Sequence, residues 1–119
     1  MSDIRRIYGS KTLVIPAGSS LSTEPIDMRR VVSGIVGVSA SWTAADIGFM
    51  VSSGSVSSDA QLLHDSTGSV IQITSPSLGT AFEIPSSVFF SHYAWLFSQS
   101  AGTAVDQTAS ASLVVQIKS

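Results

Sequence analysis

The sequence has no cysteine, which excludes disulfide bridges and thiolate metal sites and leaves the redox compartment undetermined. Charge is also scarce, because Lys, Arg, Asp and Glu make up only 12% of the chain, about half of the usual share. No apolar run approaches the roughly 18 residues of a membrane-spanning helix. The N-terminus lacks the continuous apolar stretch of a secretory signal, so we expect synthesis without export and no membrane partner.

Basic residues are missing from most of the chain. Between Val31 and Ile117 there is no lysine or arginine, so the only formally charged side chains of that stretch are acidic. Five of the six basic residues fall in the first thirty positions: Arg5, Arg6, Lys11, Arg29 and Arg30. This asymmetry predicts a nearly neutral body behind a basic N-terminal segment that contacts a partner.

What the chain has instead of charge is serine, about a fifth of all residues, together with threonine, valine and isoleucine. At 119 residues and 44% hydrophobic content there is room for one domain with one core. A disordered chain needs low hydrophobicity and high net charge, and neither applies here. We expect a sheet-rich protein whose hydroxyl-covered faces are shielded by neighbours in an assembly.

The spacing of turn residues sets the fold class. Gly, Ser and Pro interrupt the sequence at intervals of roughly eight to twelve residues, and no window has a clean helical period. This pattern predicts an all-β protein: a single jelly-roll-like antiparallel β-sandwich over residues 11–119, preceded by a short N-terminal arm over residues 1–10.

Individual strands follow from the apolar pattern. Residues 30–40 are apolar at both parities, which predicts a central strand buried on both faces. Residues 41–46 are the best candidate for a helical turn, and residues 47–51 alternate as a half-buried strand. In the last strand Leu113, Val115 and Ile117 are predicted to point to the core, with Val114 as the exception.

The middle of the chain predicts further turns and pairings. The stretches 70–74 and 80–84 flank Pro76 and are predicted to form a hairpin. A turn with Gly68 at positive φ is predicted for residues 65–68.

Catalytic and metal-binding patterns are weak. His64 and Asp65 are adjacent and serines are abundant, yet no G-x-S-x-G elbow presents a nucleophile. Asp59 and Asp65 form a calcium pair in one interpretation and simple turn aspartates in the favoured one. We therefore predict a protein that is not an enzyme and has no metal and no cofactor.

The paired arginines allow two kinds of partner. Nucleic-acid binding usually needs a domain pI above about 9, whereas this chain has a pI near 5.4. We favour protein contact, with bidentate pairing to carboxylates and added apolar contact. The predicted partner-binding residues are Ile4, Arg5, Arg6, Ile7, Tyr8, Arg29 and Arg30. The simpler alternative for Arg29 and Arg30 is a charged flank where a strand begins.

Aromatic residues permit a second kind of binding site. A flat ring can stack on a pyranose, and Trp42 beside Asp59, Gln61 and His64 forms the candidate glycan contact. In the alternative interpretation Trp42 fills one end of the core. Trp95 alternates with Tyr93 and Phe97, which favours a core position for it.

Several stretches resemble a family of small β-sandwich virion proteins of tailed bacteriophages and prophages. The similar segments are IPAGSSLSTEPIDM, VVSGIVGVSASWTAADIGFMVSSG, LLHDSTGSVIQIT and FEIPSSVFFSHYAWLFSQSAGTAVDQTASASLVVQI. The family often has an aromatic residue where His64 precedes the turn aspartate, and V-N-Q where this chain has Val105, Asp106 and Gln107. The similarity covers about a hundred residues.

The resemblance implies a role but no catalytic residues. It implies a structural virion component, a capsid decoration or cement protein that binds the major capsid protein or other virion proteins, made in the host cytoplasm. A homotrimer around a local three-fold axis is the favoured assembly. The alternative is a carbohydrate-binding, host-recognition module on the tail or outer capsid.

Overall fold

The computed structural model describes residues 8–118 and shows an all-β protein with two short 3-10 helices. The strands are β1 (Tyr8–Ile15), β2 (Ile26–Asp27), β3 (Ser33–Val38), β4 (Asp46–Ser52), β5 (Gln61–Leu62), β6 (Gln72–Ile73), β7 (Ala81–Glu83), β8 (Tyr93–Ser100), β9 (Thr103–Ala104) and β10 (Ala111–Lys118). The 3-10 helices span Ser57–Asp59 and Ser86–Phe90.

Two antiparallel sheets face each other, which confirms the predicted β-sandwich. Sheet I has the strand order β1-β10-β3-β7, and sheet II has β2-β8-β4-β5, with β6 also on β4 and β9 also on β8. The first and last long strands are neighbours over their whole length, from Tyr8 opposite Lys118 to Ile15 opposite Ala111. The sheets also meet along one side, where the Thr23 N–H donates to the Val14 carbonyl at 3.0 Å.

The core lies between the sheets and follows the period-2 pattern of the sequence. In β10, Leu113 and Val115 are fully buried while Ser112 and Gln116 are exposed, and Val114 is 39% exposed on the outer face, as predicted. In β4, Ile47 and Phe49 are buried opposite Ser98 and Leu96 of β8. Burial of such side chains contributes about 1.5–3 kcal/mol each.

Two of the tight turns depend on positive φ. Gly68 has φ +90° in the turn after Asp65, where the Gly68 N–H donates to the Asp65 carbonyl at 3.0 Å, and this confirms the predicted turn. Ala101 (φ +50°) and Gly102 (φ +88°) form the two-residue link between β8 and β9. Positive φ at both central residues is typical of a type I′ hairpin turn.

The prediction of a strand buried on both faces was wrong for residues 30–40. The strand is β3, shorter than predicted, and only its inner residues Val36 and Val38 are buried. Ile35 on the outer face is 37% exposed and Ser33 is exposed. Apolar residues at both parities reflected an uncovered outer face of sheet I, since no second layer of the described chain packs there.

The predicted hairpin around Pro76 was also wrong. The first stretch supplies β6, which pairs with β4 in sheet II, and the second supplies β7, which pairs with β3 in sheet I. Pro76 is buried in a connection that crosses between the sheets. Turn residues between two strands do not distinguish a hairpin from such a crossing, because both need a chain reversal.

Two further boundaries differ from the sequence prediction. Residues 41–46 contain no helix, and Trp42 is instead buried with its indole Nε1 donating to the Ala45 carbonyl at 3.2 Å. Residues 8–10 belong to β1, where they pair with residues 116–118, so they are part of the sandwich and not of the arm. The remaining arm residues, 1–7, lie outside the described residues.

The register defines two ends of the sandwich, the clamped end and the open end. The clamped end holds the ends of β1 and β3, the start of β4 and β10, and the segment around Gln107. The open end holds the start of β1, β3 and β8 and the ends of β4 and β10. These two ends differ in buried polar side chains, which the described part of the open end lacks.

Candidate functional site

Three of the predicted partner-binding residues, Tyr8, Arg29 and Arg30, lie at the open end. Tyr8 starts β1 there, so the chain that precedes it joins the domain at this end. Arg29 and Arg30 occupy a tight turn at the same end, closed by the Val31 N–H on the Met28 carbonyl at 3.2 Å. Ile4, Arg5, Arg6 and Ile7 lie outside the described residues, so their prediction stays a prediction.

Arg29 is held in place by its own domain. Its Nε and one terminal nitrogen donate to the two carboxylate oxygens of Asp27 at 2.9 and 2.7 Å, a bidentate pair. Its guanidinium carbon also lies 5.1 Å from the centre of the Tyr93 ring. The side-chain hydrogen bond from Arg29 lowers the pKa of Asp27 to about 2. Arg29 therefore presents a positioned cation whose charge is largely balanced.

Arg30 differs from its neighbour, since among residues 8–118 it forms no ion pair with a carboxylate. It lines a groove with Arg29, Val31 and Ile117, between the turn after β2 and the end of β10. Val32 follows directly and is 68% exposed. Arg30 and Val32 therefore offer a cation that forms no ion pair among the described residues, beside an exposed apolar side chain.

Sequence reasoning missed the most exposed aromatic side chain of the described region. Phe90 ends the second 3-10 helix with 87% of its surface exposed, while Val88 in the same helix is fully buried. An isolated apolar pair such as Phe89 and Phe90 gives no sign of which ring faces solvent, because the 3-10 helix is too short for a periodic pattern. Phe90 borders a groove with His92, Asp59 and Gln61.

The predicted glycan contact is not assembled around Trp42. Trp42 is only 5% exposed and lies in the core at the clamped end, which rules it out as a stacking surface and confirms the alternative that it fills one end of the core. Asp59 and Gln61 are exposed at the open end, on the far side of the molecule. His64 lies further along the same edge and its Nδ1 is 2.9 Å from the Leu62 carbonyl.

Trp95 is buried, as favoured from the sequence, but not between the sheets. It is 1% exposed and pairs with Met50 of β4. Leu96 and Ala94 face the intersheet core, so Trp95 lies on the outer side of sheet II. The alternation of Tyr93, Trp95 and Phe97 identified one face of the strand correctly, while which face it was depended on the packing.

The groups that suggested catalysis or metal binding have local roles. Asp65 accepts hydrogen bonds from the Thr67 hydroxyl and from the N–H groups of Ser69 and Thr67, and these hold its pKa below the usual value. This arrangement is an Asx-type turn, as favoured from the sequence over a calcium pair. Within residues 8–118 no three His, Asp or Glu side chains come together as metal ligands.

Comparison with known proteins adds no relative. The chain matches no family model, no curated protein and no solved structure. Across the described residues no helix is long and apolar enough to cross a membrane.

Proposed function

We propose that this chain is a non-enzymatic structural protein of a phage virion, a decoration or cement subunit that docks through its N-terminal segment and the open end. One observation supports the proposal: the first described residue, Tyr8, starts β1 at the same end as the Arg29–Arg30 turn. Between positions 31 and 117 the chain has no lysine or arginine. Of the described basic residues, Arg29, Arg30 and Lys118 lie at this end.

The outer face of sheet I supports a role in an assembly. It is four strands wide, formed mainly by hydroxyl, amide and small aliphatic side chains, and carries a groove of about 640 Å³. The exposed members on the three long strands are Ser10, Thr12, Ser33, Ile35, Ser112, Val114, Gln116 and Lys118, and Glu83 of β7 lies opposite Ile35. A sheet face with so little charge resists association poorly, which suits a subunit packed against copies of itself in a trimer.

The strand order supports the finer fold assignment. Among the eight principal strands, every successive pair except β4 and β5 passes from one sheet to the other, and the first strand pairs with the last, in the order β1-β10-β3-β7 against β2-β8-β4-β5. This arrangement of eight principal strands fits a jelly roll, a fold that recurs in viral capsid proteins. Fold alone does not determine function, so the proposal depends on the residues of the open end.

The proposal is tested on particles produced from the genome that encodes the chain. Three versions are compared by mass spectrometry and imaging of purified particles: the unaltered chain, a chain without residues 1–7, and Arg30→Glu. Ala109→Glu is the matched control, because it adds a glutamate at an exposed position of the clamped end. We expect decorated heads with the unaltered chain and the control, and strong loss of the protein from particles with the other two.

Two results would overturn the docking proposal. The first is absence of the unaltered chain from purified particles. The second is full decoration by the truncated chain and by Arg30→Glu, which would mean that neither the arm nor the basic turn contributes to attachment. Deleting residues 1–7 leaves the described residues of β1, Tyr8–Ile15, in place.

A further inference from the structure

A second surface of the open end has the chemistry of a ligand site. It is a groove of about 520 Å³ between the end of β4, the first 3-10 helix and the end of the second. The residues that matter for its chemistry are Ser52, Ser53, Asp59, Gln61, Phe90 and His92. Its size falls within the range of small-molecule sites in proteins, about 300–1,000 Å³.

Phe90 gives the groove an apolar wall. The ring is 87% exposed, although the second 3-10 helix anchors it through Val88, which is fully buried. An exposed ring on an anchored backbone costs little ordering entropy when it is covered by a ligand. Flat aromatic rings pack well against the C–H face of a sugar ring, which is apolar while its edge is polar.

The remaining groove residues offer donors and acceptors together. The Gln61 amide and the serine hydroxyls can both donate and accept, and the Asp59 carboxylate accepts. His92 Nδ1 lies 3.3 Å from the Ser53 carbonyl. A carbonyl only accepts, so a hydrogen bond at this distance uses an Nδ1–H donor. Sugar hydroxyls need partners of both kinds, and this set supplies them.

The charge of the groove narrows the ligand class. No lysine or arginine lines the groove, so its lining offers no permanent cation to pair with a phosphate, a sulfate or an acidic sugar. Asp59 would repel such groups. From this combination we propose that the Phe90 groove binds a neutral glycan, with Phe90 stacking on a hexose ring.

The groove and the basic turn are neighbours at the open end. The Met28 N–H, directly before Arg29, donates to the carbonyl of His92, which lines the groove, at 2.8 Å. The two surfaces differ in chemistry, because Arg29 and Arg30 line the groove beside the end of β10 and neither lines this one. Glycan binding does not rest on virion docking, and each can fail alone.

The test uses the purified full-length chain and defined sugars. Methyl glycosides of glucose, galactose and mannose and oligomers of N-acetylglucosamine are titrated while amide shifts are followed by NMR, with sialyllactose as the acidic comparison. We expect millimolar binding of at least one neutral sugar, with shifts centred on residues 51–61 and 90–92. Phe90→Ala is expected to weaken that binding about tenfold, the size of one ring contact.

The control variant is Leu78→Ala, because Leu78 is 53% exposed at the clamped end and touches no part of the groove. Phe90→Trp sharpens the test, since a larger ring should keep or strengthen binding. The proposal is overturned if no neutral sugar shifts the groove residues, if only sialyllactose does, or if Phe90→Ala binds as well as the unaltered chain. Attachment of particles that depends on Phe90 without any sugar binding would indicate a protein partner and also overturn it.

Discussion

The two ends of the sandwich are closed by different kinds of contact. At the clamped end the Gln107 side chain is fully buried and links its own segment to Thr43 and Ser98. Its Oε1 accepts from the Thr43 N–H at 2.7 Å. Its Nε2 donates to the Ser98 hydroxyl at 2.9 Å and to the Thr43 carbonyl at 3.2 Å. Its main chain is bonded to Gly18 and Ser19. The loops of this end are joined by buried polar contacts.

The open end is closed by main-chain bonds and exposed side chains instead. The Met28 N–H donates to the His92 carbonyl at 2.8 Å, and the Val32 N–H donates to the Lys118 carbonyl at 3.0 Å. The four buried polar side chains among the described residues are Ser22, Ser98, Gln99 and Gln107, and none of them lies at this end. Val32, Val56 and Phe90 are exposed there. The difference teaches that the clamped end has buried polar side chains linking its loops, while the described part of the open end has none.

The largest expected effect would come from breaking the clamp. Replacing Gln107 with leucine keeps much of the volume but leaves the Thr43 N–H and carbonyl and the Ser98 hydroxyl without their partner. We expect a loss of about 2–4 kcal/mol in the free energy of unfolding, measured by urea denaturation. Gln116→Leu, an exposed glutamine of β10, is the control and should change stability by less than about 0.5 kcal/mol. Equal losses in both variants would contradict the clamp.

The next prediction tests how tightly β3 and β10 are packed at the open end, because exposed side chains there do not by themselves show loose packing. A Cβ on Gly34 would lie 2.9 Å from the Gln116 carbonyl oxygen and 3.1 Å from Ile84 Cδ1. Since a main-chain oxygen cannot easily move, Gly34→Ala should cost about 2 kcal/mol of unfolding free energy.

Gly37→Ala is the matched control for that variant. It lies in the same strand, and its Cβ would meet only ordinary contacts, 3.6 Å from the Val114 carbonyl oxygen. A clear difference between the two alanine variants in thermal or urea unfolding would show that β3 and β10 are tightly packed at the open end. Similar stabilities would mean that this end tolerates expansion.

A smaller effect separates structure from binding within one 3-10 helix. Val88→Ala removes part of a fully buried side chain and should lower the unfolding free energy by about 1.5 kcal/mol. Phe90→Ala removes a ring that is 87% exposed and should change it by less than about 0.5 kcal/mol. Urea unfolding of both variants would measure the contrast. A large loss for Phe90→Ala would place the ring in the fold and not at a binding surface.

The smallest effect concerns the charge of the basic turn. The folded pKa of Asp27 is depressed to about 2 by Arg29, so the pair contributes stability above the ordinary aspartate pKa and loses it as the pH falls toward 2. The pair is exposed, so the loss of stability should be slight. An NMR titration of the Asp27 carboxyl should give a midpoint near 2 in the unaltered chain. In Arg29→Gln it should move up toward the ordinary value, and an unmoved midpoint would contradict the pair.

Much of the fold could be predicted from the sequence, because period-2 patterns report burial directly. The inward residues of β10 and the alternation in β4 followed from that pattern alone. Partner choice did not, since β6 and β7 contain too few residues to specify a register. The helical turn predicted at residues 41–46 was wrong because burial of Trp42 and the contacts of Gln107 set that loop.

The candidate sites show the same division. The positions of the basic residues, with Arg29 next to Arg30, can be seen in the sequence. The bidentate contact of Arg29 with Asp27 depends on the turn after β2. The sequence also predicted that Trp42 lies beside Asp59 and Gln61, which was wrong. Trp42 is buried in the core, whereas Phe90, distant in sequence, borders the groove with those two residues.

By itself the sequence determined the layers, the chemistry of their faces and the confinement of basic charge to the early chain, since these depend on residue type and local spacing. The tertiary structure alone decided which sheet each short strand joins, which aromatic rings are covered and that the start of β1, the basic turn and Phe90 share one end. Such outcomes depend on long-range packing, where contacts between distant residues are formed together and no local pattern encodes them.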